Sequence, residues 1–89
     1  MVINAYFPIK EKGECIGAIS LWEMHPNMKI PIWQTYKIYP VSEKTILFQK
    51  NDKEFCITGN NYEHEMGIIN IKEINGFINV KIEVNDEVK

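Results

Sequence analysis

The 89-residue chain has no arginine, two leucines, two alanines and no apolar run approaching the roughly 20 residues of a membrane span. Without arginine there is no planar fork of donors to clamp a phosphate or carboxylate. The shortage of alanine and leucine removes the best helix formers. The opening Met1-Val2-Ile3-Asn4-Ala5 lacks the basic stretch of a secretory leader. The expected compartment is therefore the reducing cytoplasm, with no membrane contact. Five glycines are scattered at 13, 17, 59, 67 and 76, which leaves no glycine-rich loop to cradle phosphate. Besides tyrosine, hydroxyls occur only at Ser20, Ser42, Thr35, Thr45 and Thr58, none in the setting of an activated nucleophile.

The charged groups exclude more. Ten lysines against twelve acids give a net charge of −2, whereas a nucleic-acid surface needs an excess of positive charge. Cys15 and Cys56 have no zinc-knuckle spacing, so the expectation is no metal and two free thiols. Both lie in alternating strand patterns, which predicts small buried side chains rather than a catalytic thiol. His64 sits between Glu63 and Glu65, but neighbours on a strand or loop point away from it and do not share a metal with it. The inventory predicts no enzyme and no cofactor.

What the chain does have is isoleucine, fifteen residues of it. β-Branched side chains favour strands, so the composition is all-β before any pattern is read. With ten lysines and nine asparagines, the isoleucines indicate AT-rich codons, as in low-GC bacteria and their phages or mobile elements.

The pattern agrees. Residues 67–74 and 77–84 flank Asn75-Gly76, a pair suited to a type I′ turn because both positions tolerate positive φ. A two-residue loop there sets Ile74 opposite Phe77, Ile71 opposite Val80 and Ile69 opposite Ile82, with Lys72, Asn79, Asn70 and Lys81 on the other face. Residues 45–50 and 53–58 flank Asn51-Asp52, and the same test pairs Phe48 with Phe55 and Ile46 with Ile57. Lys50 opposite Lys53 is the one unfavourable pair there, and leaves a longer loop open. At the N-terminus Ile3, Ala5, Phe7 and Ile9 alternate, as do Cys15, Gly17, Ile19 and Leu21. Pairing Ile9 with Cys15 makes a hairpin of the two runs, with Pro8 placing the first strand at a sheet edge. A short helical turn fits 20–25, a strand fits Ile32 to Tyr39, and 59–66 reads as a polar connection.

The expectation is a single β domain over 1–89, with 85–89 as a tail. It holds about seven short strands in hairpins, with little helix, in a small antiparallel barrel or sandwich.

One stretch stands out for binding. Trp22, Met24, Met28, Trp33, Tyr36 and Tyr39 gather both tryptophans and half the tyrosines between Leu21 and Tyr39. Aromatic and methionine side chains dominate interface centres, and the prolines at 26 and 31 limit the freedom lost on binding. Strand alternation puts large apolar groups on both faces here, more than one small sandwich can bury. The function expected is a non-enzymatic binding protein that occludes a protein partner, in the manner of an immunity protein, a phage inhibitor or an accessory subunit. A second copy of itself, in a homo-oligomer, is included among the partners. The alternative is an oligomeric β module that sequesters a small molecule such as a nucleotide. A small Cys/His enzyme is the weakest reading.

Overall fold

The computed structural model describes residues 1–42 and 44–85. The expected tail therefore lies outside the described residues except for Asn85, whose N–H donates to the Met66 carbonyl. Eight strands are present: β1 (Val2–Pro8), β2 (Gly17–Met24), β3 (Pro31–Ser42), β4 (Thr45–Lys50), β5 (Lys53–Thr58), β6 (Tyr62–His64), β7 (Gly67–Ile74) and β8 (Phe77–Val84). They form two antiparallel four-stranded sheets, β1-β8-β7-β6 and β2-β3-β4-β5, packed as a sandwich and not closed into a barrel. Among the described residues there is no helix, and hence none long and apolar enough to cross a membrane.

Two hairpins follow the registers written in the sequence. Ile74 faces Phe77, Ile71 faces Val80 and Ile69 faces Ile82. The turn residues Asn75 and Gly76 have φ of 49° and 81°, as a type I′ turn requires. Phe48 faces Phe55, and Lys50 does face Lys53, so the shorter loop is the one adopted, with Asn51 at φ 46°.

The N-terminal hairpin does not form. β1 pairs with β8, setting Ile3, Ala5 and Phe7 against Ile82, Val80 and Ile78, while β2 pairs with β3. The two apolar runs still meet, but across the sandwich: the Phe7 ring occupies the space a Cβ on Gly17 would take. Edge-to-edge pairing was the wrong geometry for a correct pair of faces. β1 is an edge strand, as Pro8 implied.

Four further expectations are corrected. Residues 20–24 continue β2 instead of turning as a helix, each paired with β3 from Ser20 opposite Thr35 to Met24 opposite Pro31. Part of the 59–66 connection is β6, whose Tyr62 pairs with Ile69 and His64 with Gly67. β3 runs through Pro40 to Ser42 at a register irregularity, where the missing N–H costs no regular ladder bond. The cysteines are free but exposed, not buried. Cys15 precedes β2, and Cys56 lies opposite Leu47 on the outward face of the edge strand β5.

The two inner faces share one core, with Leu21, Tyr36, Ile38, Ile46, Phe48, Ile57, Ile69, Val80 and Ile82 fully or almost fully shielded. Each such aliphatic side chain contributes about 1.5–3 kcal/mol through burial.

Gly67 joins this core to the β6–β7 turn. A Cβ there would collide with the Glu83 carbonyl of β8. Gly67→Ala should therefore destabilise by at least ~2 kcal/mol, the cost of forcing backbones apart in a packed interior. Gly76→Val should lose about 1–3 kcal/mol to its positive φ, although the space beside Gly76 is open. Urea unfolding of both variants checks the pair; wild-type stability in Gly67→Ala would contradict the close approach.

Candidate functional site

Inner positions on β2 are Gly17, Ile19, Leu21 and, continuing the alternation, Glu23. The register carries a carboxylate into the sandwich, and Glu23 is buried. An ionised carboxylate there must be fully hydrogen-bonded. Three elements supply the donors. From β3, the Tyr36 hydroxyl donates to Glu23 Oε2 at 2.6 Å. From β5, Lys53 Nζ donates to both carboxylate oxygens at 3.1 Å. From β6, on the opposite sheet, His64 Nε2 lies 2.9 Å from Oε2. The Met66 N–H donates to His64 Nδ1 at 3.1 Å, so in the neutral ring Nδ1 is the acceptor and Nε2 carries the hydrogen.

Aromatic rings wall this network. Phe55 stacks on Phe48, on Tyr62 and on the His64 imidazole, and meets Tyr36 edge-on at 5.3 Å. Lys50 Nζ sits 5.9 Å from the centre of the Tyr36 ring. An open cleft of about 250 Å³ lies over the cluster, between Lys53, Phe55, Tyr62 and His64. A second tie joins the sheets nearby, where the Met24 N–H donates to Glu65 Oε2 at 3.0 Å.

The electrostatics follow from the contacts. Burial by itself raises the Glu23 pKa, but hydrogen bonds from Tyr36, His64 and Lys53, with the Lys53 charge, outweigh it and hold the carboxyl below its ordinary value. Tyr36 is pushed up to about 12 by burial and by its bond to Glu23. For Lys53 burial pulls downward, yet bonds to Glu23 and Tyr36 and the Glu23 charge raise it above its usual value.

The cluster is saturated. Both ring nitrogens of His64 are engaged, and Glu23 receives bonds from three side chains. Among the described residues, no group of three His, Cys, Asp or Glu converges to hold a metal ion, and no buried side-chain polar atom lacks a partner. As it stands, the arrangement fixes the tautomer of His64 and pins β6 to β2; it presents no free base or nucleophile.

The six binding candidates divide. Tyr36 is fully buried and Trp22 is 8% exposed, so both belong to the core. Tyr39 is half-buried and lines, with Val41 and Leu47, a shallow depression of about 590 Å³ on the outward face of the second sheet. Met24, Met28 and Trp33 are exposed, Trp33 by 64%, at the free end of the β2–β3 hairpin. Pro31, opposite Met24, has no N–H, so that pair is not hydrogen-bonded, and neither is the next of its kind, Trp22 opposite Trp33. Side chains approach most closely in such pairs.

Glu23, Lys53 and His64 were not singled out by the sequence reading as a group. The signal that finds two of them is parity: Glu23 shares a face with Leu21, and Lys53 with Phe55 and Ile57.

Glu23→Leu leaves the Tyr36 hydroxyl and the His64 N–H unpaired, and should cost at least ~2 kcal/mol at pH 7. The sign with pH follows from the depressed carboxyl. Its contribution is complete above the ordinary value of 4.5 and is lost as pH falls through the lower folded value. The gap between wild type and Glu23→Leu in urea unfolding should therefore narrow on acidification; a gap that stays constant to pH 2 contradicts the network. On the alkaline side, stability held by the Tyr36 phenol should fall between pH 10 and about 12.

No family model, no curated protein and no solved structure matches the chain.

Proposed function

We propose that the protein is a non-enzymatic binding protein that engages a protein partner through the end of its β2–β3 hairpin. The observation that carries this reading is Trp33, 64% exposed, with Met24, Met28 and Ile30 also exposed around it. A folded protein gains nothing by leaving its largest apolar side chain in water beside two methionines and an isoleucine. Clustered exposure of this kind marks association surfaces.

The hairpin is built to present that patch. Trp22, opposite Trp33 on the neighbouring strand, is held in the core, and Pro31 fixes the backbone. Within the loop, the His25 and Ile30 backbones pair and the Asn27 N–H donates to His25 Nδ1. A preformed loop loses little entropy on binding. The exposed charges around the hairpin end are mixed: Lys29 and Lys37 of its own, and the Glu65 carboxylate bonded to the Met24 N–H, while Glu23 is buried. That favours a partner whose pocket is apolar at its centre, with polar groups of both signs at its edge. Saturation of the Glu23 cluster argues against the enzyme reading.

A photo-crosslinking residue in place of Met28 in the source cell should capture a specific protein, whereas the same residue at Lys72, on the outward face of β7, should not. With that partner purified, Trp33→Ala should weaken binding by at least about 30-fold, the loss of a central aromatic anchor, while the melting temperature stays within a few degrees. Equal affinity of wild type and Trp33→Ala overturns the proposal.

A further inference from the structure

We infer that the free edge of β1 is a self-association site, on which β1 of a second copy pairs antiparallel about Asn4. This inference does not depend on the hairpin reading.

Every open sheet has two edges, and an unpaired edge strand invites another strand to add to it. Three of the four edges here carry protection. β5 bears Lys53 and Glu54, and β6 is only three residues long with Glu63 at its centre. β2 buries Glu23, and its Met24 N–H is taken by Glu65. β1 has no charged residue along its seven positions, and Val2 and Tyr6 are 51% and 58% exposed. Its single defence is Pro8, at the far end.

The hydrogen-bond pattern fixes which groups are available. The Val84 N–H donates to the Met1 carbonyl, so the residues of β1 that bond to β8 are the odd-numbered ones, in register with Val84, Ile82, Val80 and Ile78. The N–H and C=O groups of Val2, Asn4 and Tyr6 therefore point away from β8, toward a side on which no strand lies among the described residues.

These three residues are self-complementary. A two-fold axis at Asn4 sets Asn4 against Asn4 and Val2 against Tyr6, and every outward backbone group then finds a partner. Shifting the axis by one residue brings in Pro8, which has no N–H, or leaves Tyr6 unpaired. The Asn4 side chain accepts a hydrogen bond from Asn79 Nδ2 at 3.4 Å, which leaves its amide hydrogens free for the copy's carboxamide oxygen. An amide facing its own image can both give and take; a carboxylate or ammonium there would repel itself. On the inner face the same axis places Ala5 of the second copy beside Ile3. Ile3 is only half-buried, because β2 passes from beneath Phe7 on β1 to His64 on β6 and leaves that corner open. The product is one continuous sheet running through both copies. A strand-on-strand contact is smaller than the roughly 1,600 Å² of a standard interface, so the association is reversible and set by concentration.

Sedimentation equilibrium of the full chain over a range from low micromolar to near-millimolar concentration should show a monomer–dimer equilibrium. Asn4→Glu places two like charges face to face across the two-fold axis and should weaken the dimer at least tenfold, while within the monomer the new carboxylate lies opposite Lys81 of β8. Asn79 keeps its second acceptor, the Ala5 carbonyl, so the monomer should keep its melting temperature. Tyr6→Pro, which removes an outward N–H and no bond to β8, should act in the same direction. Amide exchange on the wild type reads the edge directly: Ile3, Ala5 and Phe7 should be protected at every concentration, and Val2, Asn4 and Tyr6 only as the dimer fills. A monomer throughout the range, a dimer that withstands both variants, or edge amides that exchange freely in the dimer would each overturn the inference. Loss of the dimer in Trp33→Ala but not in Asn4→Glu would assign self-association to the hairpin instead.

Discussion

The Glu23 carboxylate is the point where the two sheets are held in one relation to each other. Apolar faces alone permit sliding, because burial is rewarded wherever contact is made. A buried carboxylate permits one arrangement, since displacing any of its donors leaves a charge or dipole unsatisfied in a poorly polarisable interior. Tyr36 and Lys53 come from its own sheet, whereas His64 comes from the other, so this oxygen-centred contact specifies the stacking as well as stabilising it. The β6–β7 turn shows how closely the rest is fitted: His64 is oriented by the Met66 N–H, and the strand that follows starts at Gly67, pressed against the Glu83 backbone.

The molecule divides its apolar surface by purpose. Tyr36, Phe48, Phe55 and Tyr62 form an aromatic wall between the sheets, continuous from β3 to β6. Trp33 and the methionines of the β2–β3 hairpin are held outside that wall. Trp22 links the two regions: it is buried in the core and lies in register with the exposed Trp33 on the neighbouring strand.

How much of this was legible depended on the range of the contact. Hairpins closed by two residues were readable down to individual cross-strand pairs, because the turn residues and the alternation constrain the same register. That is why Ile71 opposite Val80 and Phe48 opposite Phe55 follow from the sequence. The pairing of β1 with β8 was not readable, since many isoleucine-rich strands offer equivalent faces and nothing local selects among them. Ile9 with Cys15 satisfied the same alternation and lost to a distant partner. The aromatic segment was legible as unusual, but which of its rings point to water depends on what the other sheet covers. The site was half legible: a glutamate in phase with Leu21 marks a core position that needs donors, while the identity of His64 as one of them is a property of the stacking.

The pairing of β1 with β8 also orders events in time. β2 to β5 and β6 to β8 are meanders, each closing on strands made moments earlier, whereas β1 is synthesised first and its partner last. Loops of that length close slowly, so the uncharged first strand waits unpaired while the remainder of the chain emerges. During that interval β8 of a neighbouring chain is as suitable a partner as its own. Exchange of this one strand between copies is the characteristic assembly error of such a topology.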